Sequence, residues 1–415
     1  MTTSKTVTII GGGVIGLATA HYLMKQGADV RIIEKNRTGD GASHGNCGLL
    51  YFTDLIPLCA PGAVSREILR MLCGTSPLYI KPEPDMKRLA WLLRFAANCR
   101  SSRMHQAVRD KYDFLAYSFD LFKTLLESGD VQCDFEKKGL LSVFRHRKNL
   151  DAYQSNTDLL RQFGIDYKCL DRDETLALEP ALLPEIAGSW YSDTDQHLRP
   201  ERLMDSWRNH LVNQGLSIHE NCEVVDFDVR HRIVKRVFTR QGEFAGDAFV
   251  LAAGAWSSPA VERLGLELPM QPGKGYSITM DRPETCPEIP CLLYEKNMVV
   301  TPWKSGYRLG GTMEFSGYGT DLNPVRLQKL IDGAKAYLRH PTGNTVVEKW
   351  TSLRPMTCDD MPIIDRLPRH ENMVVATGHG MLGLTLATGT GKMVSDMIFE
   401  RKTEIPAGPY ALHRF

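Results

Sequence analysis

The sequence predicts an α/β chain of two interleaved halves, one carried by a parallel sheet and the other an α+β unit on an antiparallel sheet. Three observations lead there. A β-branched run, a glycine turn and a helical run fill residues 6–26; strand patterns able to extend the same sheet recur only from residue 249 onward; and helical stretches mixed with short strand-like runs lie between them. At 415 residues the chain exceeds the roughly 250–300 that one hydrophobic core supports, so two domains sharing a cleft are expected.

Composition narrows the function class. The 50 Lys+Arg nearly balance 49 Asp+Glu for a formal charge of +1, so a nucleic-acid partner is not expected. The ten cysteines, at 47, 59, 73, 99, 133, 169, 222, 286, 291 and 358, form no C-x-x-C and no cluster with histidine at metal-ligand spacing. A structural zinc or a disulfide framework is therefore not expected, and reduced thiols in the cytoplasm are. No apolar run reaches the roughly 18 residues of a membrane span. Lys5, the apolar stretch Val7 to Ala20 and the triplet Ala18-Thr19-Ala20 resemble a signal peptide, but Gly11, Gly12, Gly13 and Gly16 interrupt it, and the segment is expected to stay uncleaved.

Those glycines belong to another pattern. Thr6 to Ile10 is a β-branched strand, Gly11-Gly12-Gly13-Val14-Ile15-Gly16 a turn, Leu17 to Gln26 a helix ended by Gly27, and Val30 to Ile33 a second strand stopping at Glu34. Strand, G-x-G-x-x-G, helix, strand and acid make up the dinucleotide fingerprint of a Rossmann-like fold. Gly11 permits the tight turn, Gly13 lets the backbone approach a pyrophosphate, and Gly16 lets the helix pack on the strand with its free N–H groups toward the anion. Glu34 is placed to accept from ribose hydroxyls, which disfavours a 2′-phosphate and hence NADP.

The next segment separates flavin from NAD. Gly39-Asp40-Gly41-Ala42-Ser43-His44-Gly45-Asn46-Cys47-Gly48-Leu49-Leu50 is small, polar and glycine-rich, suited to laying backbone against a flat ring. The remaining strands come far downstream: Phe249 to Trp256, then Met373 to Ala376 running into Thr377-Gly378-His379-Gly380-Met381-Leu382-Gly383 and a helix over 384–399. The nucleotide domain is thus discontinuous, assigned to 1–60, 196–268 and 350–415. Residues 61–195 and 269–349 are left to a substrate domain, with helices at 86–98 and 106–128 and strands at 139–144, 276–280, 298–301 and 307–310.

On these segments, together with Gly275-Tyr276-Ser277 and Trp350 to Thr357, the chain resembles the D-amino-acid oxidase-like FAD-dependent oxidoreductases, and within them the bacterial D-amino-acid and D-hydroxyproline dehydrogenases. The resemblance spans nearly the whole sequence. It implies FAD, held without a covalent bond, and cofactor contacts at Gly11, Gly13, Val14, Ile15, Gly16, Glu34 and Lys35. It extends them to the loop residues Ala42, Ser43, His44, Asn46, Gly48, Leu49 and Leu50 along the flavin ring, and to the Val224 backbone at the adenine. Ala253, Gly254 and Trp256 complete the set, with Gly378, Gly380, Met381, Leu382 and Gly383 at the pyrimidine end. That last turn has a physical rationale as well, because reduced flavin gathers negative charge at N1 and the C2 carbonyl, where unpaired N–H donors stabilise it.

For the substrate, a carboxylate removed from water needs a permanently charged, bidentate partner. The resemblance assigns this to Arg354, with the Tyr276 hydroxyl as second donor; Arg354 paired instead with Asp359 or Asp360 is the bland alternative. His379 is a candidate proton acceptor, though its glycine turn fits a structural or flavin contact better. His44 is read as a hydrogen-bonding loop residue, Cys47 as a spacer and Lys274 as a solvated lysine. The implied reaction is hydride transfer from Cα of a small or cyclic D-amino acid, such as D-proline, D-hydroxyproline or D-alanine, to flavin N5. Alternatives are an oxygen-using oxidase of glycine or sarcosine type and a flavin-binding subunit of a larger electron-transfer complex. Residues 66–111 carry ten cations, Arg66 and Arg70 included, against four acids, and Leu89 to Ala96 interleave with Arg88 and Arg94. A half-buried helix with a wet basic face is the favoured reading there. A peripheral contact of residues 85–100 with the inner face of the plasma membrane, delivering electrons to a quinone or a redox protein, is the other.

Overall fold

A computed structural model describes residues 4–65, 67 and 78–415, so that Arg66, Arg70 and Cys73 lie outside the described residues. Strand Thr6–Ile10 is the centre of a six-stranded sheet because its β-branched side chains can be buried on both faces. It pairs in parallel with Asp29–Ile33 on one side and Ala248–Leu251 on the other, while Ser217–His219 and Met373–Thr377 extend the sheet outward, also in parallel. Ile363–Arg366 closes one edge antiparallel. The chain leaves this sheet after residue 33 and returns only at 217, 248 and 363, which is the expected discontinuity.

The helix Val14–Lys25 starts directly over its strand. Gly11 has φ +111°, and a Cβ there would meet the Ala252 carbonyl oxygen at 2.4 Å; a Cβ on Gly16 would lie 2.0 Å from the Gly11 oxygen. The expected strand Phe249 to Trp256 stops at Leu251, and Gly254–Trp256 forms a 3₁₀ turn instead, with Gly254 at φ +54°. The last helix begins at Ala387 rather than Leu384.

The second sheet has nine strands. Val346–Thr357, Met270–Met280, Gly306–Phe315 and Met298–Trp303 form its antiparallel core. It is mixed rather than purely antiparallel: Cys291–Leu293 runs parallel to Leu140–Phe144, and Leu78–Ile80 parallel to Gly306–Phe315, since these partners arrive from distant parts of the chain. The boundary expected at 350 falls inside Val346–Thr357, which belongs to this sheet. One face carries Tyr276 and Ile278, packed in an apolar layer with Leu327 and Leu330 of the helix Pro324–Lys335. The other face turns toward the parallel sheet, where the Ser277 hydroxyl donates to the Gly45 carbonyl at 2.7 Å.

The 27-residue helix Ser101–Glu127 braces the carboxy-terminal helix Ala387–Ile398. Ser118 Oγ donates to the Thr385 carbonyl at 2.7 Å and accepts the Gly389 N–H at 3.0 Å, so the turn before that helix is fixed in place. Helix Met86–Asn98 is half-buried, with Lys87 and Arg94 on its exposed side, but Arg88 does not belong to that wet face. Arg88 and Trp91 are buried, Arg88 donating to the Glu83 carbonyl and Trp91 Nε1 to the Met356 carbonyl. The outward stripe is apolar: Met86, Leu89 and Leu93 are 78%, 48% and 64% exposed. Among the described residues no helix is long and apolar enough to cross a membrane, no cluster of acids, histidines and cysteines could hold a metal, and the cysteines are free thiols.

Candidate functional site

A cavity of about 1320 Å³ runs between the two sheets, above the roughly 300–1000 Å³ of a site for one drug-sized ligand and large enough for a dinucleotide with a second molecule beside it. At one end lies the glycine turn. Helix Val14–Lys25 has Gly13 as N-cap and no side-chain cap, and Gly11, Gly13, Val14 and Ile15 line the cavity, so backbone donors and the positive end of the helix face it. Ser43 Oγ accepts the Val14 N–H at 2.9 Å. Glu34 ends the second strand with Oε2 accepting the Gly12 N–H at 2.7 Å and Oε1 that of Asn36 at 2.9 Å. Lys35 stacks its ammonium 3.3 Å from the Trp256 ring centroid, and burial lowers its pKa.

Further along, Ala42, Ser43, Asn46, Gly48 and Leu49 line one wall, Val224, Ala253, Gly254 and Trp256 another, and His379, Gly380, Met381 and Gly383 a third. Among the described residues the Met381 and Gly383 amides donate to no backbone carbonyl, and both residues line the cavity. A glycine cradle at a helix N-terminus at one end and amides without a backbone partner among the described residues at the other fit a dinucleotide carrying a flat ring that gathers negative charge.

Five of the expected cofactor residues do not line this cavity. Gly16 acts only through packing. His44 turns away, its Nε2 2.9 Å from Glu348 Oε1, a hydrogen bond that raises its pKa against the opposing effect of burial. Leu50 is buried in a two-residue strand pairing with Gln196, Gly378 packs its backbone against Thr357, and Leu382 lines a small adjoining cavity.

The substrate candidates separate likewise. Arg354 lines the cavity on strand Val346–Thr357, and its guanidinium lies over Gly275, where a Cβ would sit 2.1 Å from Nη1. Opposite, Thr312 at φ +65° occupies a bulge that turns its carbonyl to Arg354 Nη1 at 3.2 Å. Among the described residues Arg354 has no carboxylate partner: Asp359 is taken by Arg414 and Asp360 by Lys111. Burial lowers its pKa.

Tyr276 is corrected. Strand alternation puts it on the face opposite Gly275 and Arg354, among Ile278 and Leu330, with its hydroxyl 3.4 Å from Glu314 Oε2. Tyr276 still borders the cavity, but its hydroxyl is engaged with Glu314. His379 is buried with Nε2 3.0 Å from Thr390 Oγ1, and burial lowers its pKa to about 3, too low to accept a proton near neutrality. Lys274 is buried on Tyr276's side of the strand and donates to the Asp321 carbonyl, rather than being solvated. Cys47 packs against Gly310, where a Cβ would sit 2.4 Å from its Sγ.

Sequence reasoning missed the apolar walls beside Arg354: Trp91 and Phe95 from helix Met86–Asn98, Met313 and Phe315 from the bulged strand, and Met356. The i, i+4 spacing of Trp91 and Phe95 is a signal that could have marked that face as inward. It also missed Asp54, a half-buried carboxylate in the cavity wall.

Comparison with known proteins agrees with this geometry. Residues 6–397 match the family model described as FAD dependent oxidoreductase, DAO. The chain is 30% identical to a D-amino acid dehydrogenase of Vibrio atlanticus over 416 residues, 99% of each chain, and 31% identical to one of Allorhizobium ampelinum, covering 99% of this chain and 98% of that one. The fold is shared with a glycine oxidase from Geobacillus kaustophilus, with TM-score 0.78, 23% identity and coverage of 99% and 100%. The chain therefore belongs to the DAO family of FAD-dependent oxidoreductases.

Proposed function

We propose that the chain dehydrogenates the Cα–N bond of a D-amino acid with a small apolar or cyclic side chain, such as D-alanine, D-proline or D-hydroxyproline, using FAD held without a covalent bond. One observation carries the reading: Arg354, lacking a carboxylate partner among the described residues, is laid over Gly275 in a cavity whose adjoining walls are apolar. A desolvated guanidinium without a counter-ion is complementary to a carboxylate, and the fork orients the amino acid while Trp91, Met313 and Met356 take its side chain. Bound FAD supplies an N5 that accepts a hydride. The residues then have to hold Cα about 3–3.5 Å from N5 and keep water out, so that positioning supplies most of the rate.

The relatives named D-amino acid dehydrogenase support the D configuration. The outward stripe Met86, Leu89 and Leu93, flanked by Lys87, Arg94, Arg100 and Arg103, favours an electron acceptor reached at a membrane surface, a quinone or a redox protein, over molecular oxygen. We place the protein peripherally on the inner face of the membrane for that reason. The test is anaerobic bleaching of the flavin by a panel of D- and L-amino acids, glycine and sarcosine, followed by reoxidation with a quinone analogue or oxygen. Bleaching by D-alanine or D-proline and faster reoxidation by quinone are expected; bleaching by L-isomers alone, or by no amine, would sink the proposal.

A further inference from the structure

Asp54 is the cavity group that the function above leaves unused. It follows the loop that lines the ring-binding wall, is half-buried, and lines both the main cavity and the small adjoining one. Its carboxylate accepts no hydrogen bond and makes no ion pair with any described residue. Its neighbours are already committed. Lys111, from helix Ser101–Glu127, is buried with Nζ 2.6 Å from Asp360 Oδ2, and the same oxygen accepts the Leu58 N–H at 3.1 Å. Behind Asp54, Asp195 is held by the Thr53 N–H at 3.1 Å and the Thr53 hydroxyl at 2.7 Å, with Tyr51, Tyr153 and Tyr167 around it. His379 borders it from the glycine turn. The strand of Arg354 is tied to that turn, since Gly380 N–H donates to the Pro355 carbonyl at 3.0 Å. Among the described residues, Arg354 and Asp54 both line the cavity and neither has a charged partner, whereas Asp360 is paired with Lys111.

A zwitterion matches that pair, and the oxidation needs its ammonium deprotonated. We propose that Asp54 is the proton acceptor for the substrate's α-ammonium, an assignment that rests on the amino-acid reading above. The ammonium N–H bond breaks and its proton passes to an Asp54 oxygen, leaving a lone pair on nitrogen. The Cα–H bond then breaks with its electron pair, which goes with the hydrogen to flavin N5 as the nitrogen lone pair closes the C=N bond. The substrate loses two electrons, FAD gains two, and the iminium is released to hydrolysis by water. Burial raises the pKa of Asp54 from 3.8 to about 6, Lys111 opposing and Asp360 reinforcing the shift, which matches an acceptor working near neutrality. The two other titratable candidates are already engaged, His379 Nε2 with Thr390 Oγ1 and the Tyr276 hydroxyl with Glu314.

The test is the anaerobic bleaching rate of the FAD-loaded enzyme against pH, for wild type, Asp54→Asn and Asp54→Glu, with propanoate binding read from the flavin spectrum as a control. Wild type should lose rate tenfold per pH unit below about 6. Asp54→Asn should lack that limb and bleach ~100-fold more slowly at neutral pH, the usual size of a lost general base. Its FAD content and propanoate affinity should stay unchanged, and Asp54→Glu should restore a limb. An Asp54→Asn enzyme with the same acid limb and a rate within threefold of wild type would overturn the assignment while leaving the amino-acid reading intact. Wild-type flavin that no amino acid bleaches would overturn both.

Discussion

The two ends of the cavity are built on different principles. The glycine-cradle end uses backbone: Gly11, Gly13 and the helix they launch come from one short stretch of chain, and Glu34 holds Gly12 in place. The Arg354 end uses side chains brought from residues 91, 313, 354 and 356, with Asp54 elsewhere on the same cavity wall, and neither Arg354 nor Asp54 has a charged partner among the described residues. An end made of backbone is fixed by sterics before any ligand arrives. An end made of unpartnered charges is completed by its ligand, and so should be separable from the first by mutation.

The largest expected effect tests that separation. Removing a buried charge that pairs with a ligand typically costs about 2–5 kcal/mol, so Arg354→Ala should lower the second-order rate of flavin bleaching roughly 100-fold or more. FAD content should not change. Loss of FAD along with substrate affinity would show that the two ends are one unit.

Next in size is the converse. A methyl on Gly16 would lie 2.0 Å from the Gly11 carbonyl oxygen. Overpacking of this kind costs about 1–3 kcal/mol, so Gly16→Ala should melt earlier and be purified with substoichiometric FAD. The fraction that retains FAD should bind propanoate as wild type does; weakened binding in that fraction would break the comparison from the other side.

The same division explains what could be read from the sequence. The cradle was legible because its residue types are dictated locally: only glycine fits φ +111° at Gly11 and the contact beneath Gly16. Arg354 was singled out through the resemblance at Leu353-Arg354-Pro355, and the apolar packing beside it was not foreseen. Tyr276 failed because one residue of strand alternation reverses the face, and nothing in Gly275-Tyr276-Ser277 says which face is inward. His379 failed because its burial and its bond to Thr390 depend on a helix whose docking is set by Ser118, more than 250 residues earlier. Asp54 was invisible for a related reason, since a lone acid in the apolar run Tyr51 to Leu58 carries no motif, and its setting shows only once Lys111 and Asp360 are seen to be occupied with each other.

Helix Met86–Asn98 joins the two ends to whatever lies outside, with Trp91 on the cavity and Leu93 64% exposed. If the stripe Met86, Leu89 and Leu93 lies in a lipid surface, a charge placed in it should weaken binding to anionic vesicles by about tenfold, near 1.4 kcal/mol. Leu93→Glu should therefore co-sediment less with phosphatidylglycerol vesicles while the bleaching rate by amino acid is unaltered. Equal sedimentation of the two proteins would remove this helix as the contact.

The smallest effect concerns the cost of polar burial beside Thr53 and Asp54. Asp195 is buried against Thr53, and burial raises its carboxyl from 3.8 to about 7, opposed by the Thr53 hydrogen bonds and reinforced by Asp54. A folded-state pKa above the unfolded one means that the protonated carboxyl stabilises the fold. That contribution is complete below pH 3.8 and is lost as the pH rises through about 7. Asp195→Asn keeps a neutral side chain that can still accept from Thr53, so its melting temperature should fall less than that of wild type between pH 5 and 8. By pH 8 the variant should be the more stable by about 1 kcal/mol, a shift of about 1 °C for a chain of this size. Thermal melts of both proteins across that range decide it. Parallel curves would mean that Asp195 stays ionised in the fold, with Thr53 sufficing to stabilise its charge, and that the neighbourhood of Asp54 is more polar than its burial implies.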